Sequence, residues 1–299
     1  MPASSGDKRF LSRGLRLGLS RKSLFWAGLA GLFAVLYGSI LADLVKQWWT
    51  DPNYSHGFLV PLAAAYFGWR LRDRLARLPR KPTQWGLVLI LVSQGVLLVG
   101  VLGAEFFLQR SSLLLLLAGG ILFLFGWGHL RALAFALALL LLAIPLPAIV
   151  FNAVAFPLQL TASRWAEGFL QACQVPVFRE GNILVLTHQT LSVTEACSGI
   201  RSLVSLFTLA LVVAYFLPFS FWLRGVLVVS ALPITLLTNS LRVSGTGLLG
   251  QYWGESVARG FFHTFSGWLV FLLALVLLFS ESVILERWRS WRNKRKESR

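Results

Sequence analysis

The uncharged stretch "WGLVLILVSQGVLLVGVLGA" at positions 85–104 decides the fold class of this chain. About 20 apolar residues in an α-helix are enough to span the roughly 30 Å hydrocarbon core of a bilayer. The stretch reaches this length without one Asp, Glu, Lys or Arg. We therefore predict that it forms a transmembrane helix.

Seven further apolar runs lie on the two sides of this one. They cover positions 24–42, 57–69, 111–127, 130–144, 200–217, 221–240 and 264–280. Over the whole chain 56% of the residues are hydrophobic, which is more than soluble domains contain. The predicted fold class is an all-α polytopic membrane protein with a bundle of about eight transmembrane helices.

The charges predict the orientation of this bundle. If both termini are cytoplasmic, seven of the 28 Lys and Arg residues fall on the outer side: Lys46, Arg110, Arg164, Arg179, Arg201, Arg242 and Arg259. All the others face the cytoplasm, as the positive-inside rule expects. Basic blocks between apolar runs indicate contact with membrane lipids, so the net charge of +16 does not predict a nucleic-acid partner.

The same pattern predicts the domain organisation. A basic cytoplasmic tail at 1–23 precedes a single transmembrane domain at 24–286, and a second basic cytoplasmic tail follows at 287–299. The largest outer segment covers 145–199. In it, apolar residues at helical spacing predict an amphipathic helix over 152–173 on the outer membrane surface. The stretch "NILVLTHQTLSV" at 182–193 then favours a small β-hairpin.

Four chemically active side chains are predicted at the outer membrane boundary. Cys197 precedes the sixth helix, Arg242 closes the seventh, His263 opens the eighth and His56 opens the second. A helix N-terminus or a nearby cation can stabilise a reactive thiolate, a His can carry a proton, and an Arg can hold an oxyanion. These residue types point to nucleophilic acyl transfer. No cluster has metal-ligand spacing, so we expect neither metal nor cofactor.

Simpler interpretations of the same residues stay open. Cys197 can be a small packing residue, with Ser198 as the N-cap of the next helix. Arg242 can extend its side chain to the lipid headgroups, and the two His can be ordinary polar residues of the interface. Both cysteines are predicted on the outer side, where disulfides form, so a Cys173–Cys197 bridge is also an alternative.

Several blocks of the sequence resemble the exosortase/archaeosortase family. They are "YSHGFLVPL" at 54–62, "EGNIL" at 180–184, "TEACSGIRSL" at 194–203, "TNSLRVSG" at 238–245 and "FFHTFSGW" at 261–268. The resemblance implies a cysteine transpeptidase of the bacterial inner membrane, active at the outer face. Its partners would be membrane-anchored proteins with a C-terminal sorting signal, which consists of a Pro-Glu-Pro type motif, a transmembrane helix and a basic tail. Cleavage would pass through a thioacyl enzyme, and the protein would then be transferred to an acceptor.

The resemblance also implies roles for single residues. By position, Cys197 matches the nucleophile, Arg242 the arginine of the "N-x-x-R" block and His263 the histidine of the last block. Supporting or substrate-binding positions are matched by His56, Ser198, Arg201 and Asn239.

Three other classes of function compete with this hypothesis. A transporter would carry ionisable residues in the middle of its helices, whereas those of this chain are predicted at helix ends. A non-catalytic component of an envelope or polysaccharide export system would not need Cys197. A membrane acyltransferase would use the same thiol on a lipid donor.

Overall fold

The computed structural model describes residues 21–187, 189–193, 199–254 and 261–297, and for residues 21–22, 261–264 and 296–297 it describes the backbone alone. These residues form α-helices and a small antiparallel sheet, which confirms the predicted all-α polytopic membrane fold. Five helical spans in this part of the chain are long and apolar enough to cross a bilayer: Ser23–Thr50, Trp85–Leu102, Phe106–Phe125, Phe221–Trp253 and Phe265–Arg295.

The packing of the chain separates it into two units, Met1–Asp43 and Leu44–Arg299. The described part of the first unit is helical and belongs to α1 (Arg21–Thr50). Large apolar side chains such as Phe25 and Val35 are exposed on this helix, as expected for a surface that faces lipid.

The second unit begins with the last residues of α1 and continues through a set of helices that pack on their neighbours. They are a 3-10 helix (Pro52–Phe58), α2 (Leu59–Arg70), α3 (Arg72–Arg77), α4 (Trp85–Leu102), α5 (Phe106–Phe125) and α6 (Trp127–Leu141). Glycines allow α4 and α5 to approach closely, since a Cβ on Gly86 would overlap the backbone of Phe123.

The outer segment predicted from the sequence forms one long helix and the sheet. Helix α7 (Ala148–Ala172) confirms the predicted amphipathic helix and starts four residues before the predicted position. Its buried face packs on the sheet through Ala162, Ala166 and Leu170, which share a core with Leu184 of the middle strand.

The sheet has three strands where the sequence predicted a two-stranded hairpin. The strands β1 (Val177–Glu180), β2 (Ile183–Leu186) and β3 (Thr190–Ser192) pair antiparallel in this order. An ion pair of 2.8 Å between Arg179 and Glu167 attaches β1 to α7. The hydroxyl of Ser163 donates to the carbonyl of Gly181 in the β1–β2 turn at 3.0 Å.

The C-terminal half contains the helices α8 (Ile200–Phe216), α9 (Phe221–Val229), α10 (Ala231–Trp253) and α11 (Phe261–Glu297). Leu206, Leu227 and Leu278 are completely buried in their common core. The hydroxyl of Ser230, between α9 and α10, donates to Glu281 of α11 at 2.5 Å.

The structure changes several predicted boundaries. Each of the eight apolar segments contains a helix, but the segments at 57–69, 130–144 and 200–217 give helices shorter than the five spans above. The seventh helix does not end at 240, because α10 continues to Trp253. The described residues of the predicted basic tail at 287–299 belong to α11, which the structure gives as Phe261–Glu297.

Candidate active site

Not every predicted site residue belongs to the described part of the chain. Cys197 and Ser198 lie outside it, and for His263 only the backbone, in the first turn of α11, is described. The side chains of His56, Arg201, Asn239 and Arg242 are described. Their surroundings show how the sequence blocks lie relative to one another.

Gly199 connects the "CSG" block with the "N-x-x-R" block. It is the N-cap of α8 and has φ of 78°, a left-handed conformation that favours glycine. The alternative interpretation with Ser198 as N-cap is therefore wrong by one position. A Cβ on Gly199 would lie 3.2 Å from the Cβ of Asn239 and 3.3 Å from the Cγ2 of Thr235. The start of α8 thus packs directly on α10.

Arg242 connects α10 with α11. It does not close a helix as predicted, because it lies midway along α10, between Ala231 and Trp253. Its guanidinium packs against Gly267, where a Cβ would lie 3.9 Å from Cζ and 4.0 Å from Nη2. Position 263 precedes Gly267 by one helical turn, so the two positions share one face of α11.

Arg201 connects α8 with the block that contains His56. It is exposed in the first turn of α8, and its Nε donates to the Oδ1 of Asn53 at 3.4 Å. Asn53 lies in the same short 3-10 helix as His56. The four blocks around Cys197, Arg242, His263 and His56 are therefore joined pairwise by contacts at Gly199, Gly267 and Asn53.

His56 attaches this 3-10 helix to the segment after α6. Its side chain is 9% exposed, and Nε2 donates to the carbonyl of Leu142 at 3.1 Å. The indole Nε1 of Trp48 donates to the next carbonyl, that of Ala143, at 2.8 Å. Burial lowers the pKa of His56, and the hydrogen bond to Leu142 offsets part of this effect. The neutral imidazole therefore connects the 3-10 helix to the segment after α6.

A buried polar face of α10 lies beside Gly199. Hydroxyls on this helix donate to carbonyls one turn earlier, for example Thr238 to Ile234 and Ser240 to Leu236. Thr235 differs, because its buried Oγ1 has no hydrogen-bond partner in the described part of the chain. Sequence reasoning missed this residue. The signal was its position one turn before Asn239, on the same face.

The sheet fixes the chain just before the "CSG" block. The amide of Val193 donates to the carbonyl of Asn182 at 2.9 Å, and the side chain of Gln189 donates to the carbonyl of Gly247 on α10 at 2.9 Å. Val193 and Gly199, the described residues that flank positions 194–198, are thus both held in place.

A cavity of about 460 Å³ opens beside the contact between Arg201 and Asn53. Its polar walls include Asn53, Asp51, Glu105 and Arg110. Both carboxylates cap helix N-termini, and the buried Arg110 donates to Gln47 at 2.7 Å.

Two further features concern Cys173 and the residue types that can hold a metal ion. Cys173 is a free and exposed thiol, so the alternative of a Cys173–Cys197 bridge does not describe this structure. Among the described residues, no three His, Cys, Asp or Glu side chains lie together as a metal site would require.

The fold and the contacts between the blocks define a multi-pass helical membrane protein in which several of the quoted sequence blocks meet around the start of α8. The family model for the transmembrane exosortase (Exosortase_EpsH) matches residues 48–280, and the chain belongs to this family. This confirms the resemblance seen in the sequence blocks. No curated protein and no solved structure matches the chain.

Proposed function

We propose that this exosortase-family protein is a cysteine transpeptidase of the bacterial inner membrane. It would cleave C-terminal sorting signals at the outer face and transfer the released protein to an acceptor. One observation carries the proposal: blocks far apart in the sequence meet through Gly199 with Asn239, and through Arg242 with Gly267. These two contacts place the segments that carry positions 197 and 263 against the same helix, α10, which also carries Asn239 and Arg242.

Chain connectivity keeps the proposed nucleophile near this centre. Cys197 precedes Gly199 by two residues, and two peptide units span at most about 7.6 Å between Cα atoms. Arg242 follows Asn239 by one helical turn, and Asn239 is the residue that Gly199 contacts. A thiolate at position 197 would be stabilised by the nearby guanidinium and by the N-terminus of α8.

The proposed reaction has two steps. The thiol proton passes to His263, and the Cys197 sulfur attacks the scissile carbonyl carbon while Arg242 stabilises the oxyanion. The C–N bond breaks, His263 returns the proton to the leaving amine, and a thioester remains. An acceptor amine or water then attacks the thioester and gives a proton to His263, the C–S bond breaks, and the Cys197 thiolate that leaves takes this proton back from His263.

The membrane brings enzyme and substrate together. A substrate anchored by its own helix and basic tail would have the same orientation as this chain, with its sorting motif at the level of the start of α8. Tethering in one bilayer raises the effective concentration, so tight binding is not needed. The cavity beside Asn53 offers space for the segment that carries the motif.

The supporting residues receive different roles in this proposal. Asn239 and Ser198 orient the segment around Cys197, and Arg201 positions the 3-10 helix through Asn53. His56 supports the site through its bond to Leu142, with burial keeping the imidazole neutral.

The test is coexpression of the full chain with a reporter that ends in a candidate sorting signal. Wild type should release the C-terminal helix of the reporter, and a thioester-linked adduct should be released by hydroxylamine. Cys197→Ala should abolish both. Cys173→Ala is the matched control and should behave like wild type, since Cys173 is exposed and belongs to none of the sequence blocks that carry the proposed site residues. Cleavage by Cys197→Ala would overturn the proposal.

A further inference from the structure

A second cavity lies at the opposite end of the bundle from the candidate active site. Helix α5 starts at Phe106, in the wall of the cavity beside Asn53, and ends at Phe125, in the wall of this second cavity. Its 20 residues correspond to about 30 Å, the thickness of a bilayer core. The two cavities therefore lie near opposite surfaces of the membrane.

The walls of the second cavity are apolar and its edge is cationic. It has a volume of about 260 Å³, and Leu75, Ile121, Phe125 and Leu133 supply most of its apolar wall. Arg80 lines the same cavity, with its guanidinium 5.5 Å from the centre of the Phe125 ring. This combination fits a ligand that has an apolar body and an anionic head.

The backbone around the cavity is firmly held. His129 of α6 donates from Nε2 to the carbonyl of Leu75 at 3.2 Å, which attaches α3 to α6. The amide of Lys81 donates to the carbonyl of Phe125 at 3.1 Å. Gly126, with φ of 87°, lies so close to the Lys81 carbonyl that no Cβ would fit. The cavity is therefore a preformed feature of the helix ends.

The charge around the cavity indicates its occupant. Positions 70–81 contain six basic residues: Arg70, Arg72, Arg74, Arg77, Arg80 and Lys81. The acid in this stretch, Asp73, is paired with Arg72 at 3.7 Å. Basic pockets between transmembrane helices are a known setting for anionic lipid headgroups.

We propose that this cavity binds one anionic phospholipid. The phosphate and the anionic head lie against Arg80 and the neighbouring arginines, and the start of the acyl chains lies in the apolar cleft between α3, α5 and α6. The bound lipid adds to the contacts that hold α3 against α5 and α6. The site is separate from the candidate active site and does not depend on the proposed reaction.

The test measures lipid retention by the full chain in detergent, using native mass spectrometry with phosphatidylglycerol and phosphatidylcholine. Wild type should bind phosphatidylglycerol more tightly than phosphatidylcholine. Arg80→Gln should weaken phosphatidylglycerol binding about fivefold, the effect expected for one basic residue at a membrane surface. Arg292→Gln is the control, because Arg292 also lies over an aromatic ring, that of Trp288, but on α11.

A second variant tests whether the lipid binds in the cavity itself and not only to the basic surface around it. Ala76 is exposed and lines the cavity, so Ala76→Trp should fill it without disturbing the core or the charge. We expect it to weaken phosphatidylglycerol binding as much as Arg80→Gln does. Equal binding of both lipids by wild type, or full binding by Ala76→Trp, would overturn the proposal.

Discussion

Gly199 packs directly on the side chain of Asn239. Any side chain larger than hydrogen at position 199 would require the Asn239 side chain to move. The contact joins the residue that starts α8 to the buried polar face of α10. The contact fixes the backbone two residues after Cys197. Gly199 therefore positions the proposed nucleophile.

The first prediction concerns this glycine. In Gly199→Ala the left-handed backbone costs about 1–2 kcal/mol, and the new Cβ would press on Asn239 at 3.2 Å. We expect reporter cleavage to fall more than tenfold, which corresponds to about 1.4 kcal/mol in the activation free energy. Gly168→Ala, where nothing lies within 4 Å of the new Cβ, should cleave normally. Equal activity of the two variants would contradict the positioning role.

A second prediction concerns the hydroxyl of Thr235, which has no hydrogen-bond partner among the described residues. In Thr235→Val the shape is kept and a buried oxygen without a described partner is removed, so the thermal midpoint should not fall. If the hydroxyl donates to the substrate or to the reacting segment, cleavage should fall about fivefold, the effect of one hydrogen bond. Thr238→Val, which loses a bond to its own helix, should keep its activity. Normal cleavage by Thr235→Val would exclude the hydroxyl from the site.

The third prediction concerns the guanidinium of Arg242. Arg242→Lys keeps the positive charge but loses the planar group that packs against Gly267. We expect thioester formation to slow by about 10²–10³-fold, as for the loss of an oxyanion donor. The exposed Arg164 supplies the control variant Arg164→Lys. A normal rate of thioester formation in Arg242→Lys would show that charge alone is sufficient.

The fourth prediction concerns pH and His56. Because burial lowers its pKa below the ordinary value of 6.5, the folded protein binds this proton less readily than the unfolded chain. The contribution of the neutral imidazole to stability is complete above about pH 6.5 and is lost as the pH falls towards the lowered pKa. His56→Gln keeps a donor for Leu142 and does not titrate. The thermal midpoint of His56→Gln should therefore fall less than that of wild type when the pH is lowered from 8 to 5.5. An equal fall in the two proteins would contradict this prediction.

A fifth prediction concerns the packing of α4 on α5. In Gly86→Ala the new methyl group would overlap backbone atoms of Phe123, which cannot move alone. We expect a destabilisation of about 1–3 kcal/mol, the usual cost of overpacking. Gly95→Ala lies on the same helix with nothing within 4 Å of its Cβ and should be as stable as wild type. Thermal unfolding of both variants in one detergent gives the comparison.

Hydropathy predicted the helices whose environment is uniformly apolar. Helix α4 starts at Trp85 as predicted and ends two residues early, at Leu102. The sequence prediction ended the seventh helix at 240, before a stretch with several polar residues, whereas α10 continues to Trp253. Hydroxyls in this stretch donate to carbonyls of the same helix, as in the bond from Thr246 to Arg242. A hydropathy scale does not include hydrogen bonds that satisfy polar groups within the helix.

Long-range contacts account for the rest of what the sequence did not predict. Strand β1 contains Arg179 and Glu180 in only four residues, and an ion pair with Glu167 of α7 stabilises it. The sequence blocks indicated which residues belong to the site. Only the packing of α8, α10 and α11 shows that Gly199 meets Asn239 and that Arg242 meets Gly267. The position of Arg242 within α10 also removes the helix-end argument against a transporter, so the test with Cys197→Ala decides between the two functions.

Helix α11 has a mechanical consequence. Its 37 residues contain no proline and form one helix of about 55 Å, from the turn with position 263 to the basic end with Arg292. A rod without a hinge transmits rotation and translation along its whole length. We therefore expect that a displacement of the basic end is carried along α11 towards position 263, which lies one turn from the contact of Gly267 with Arg242.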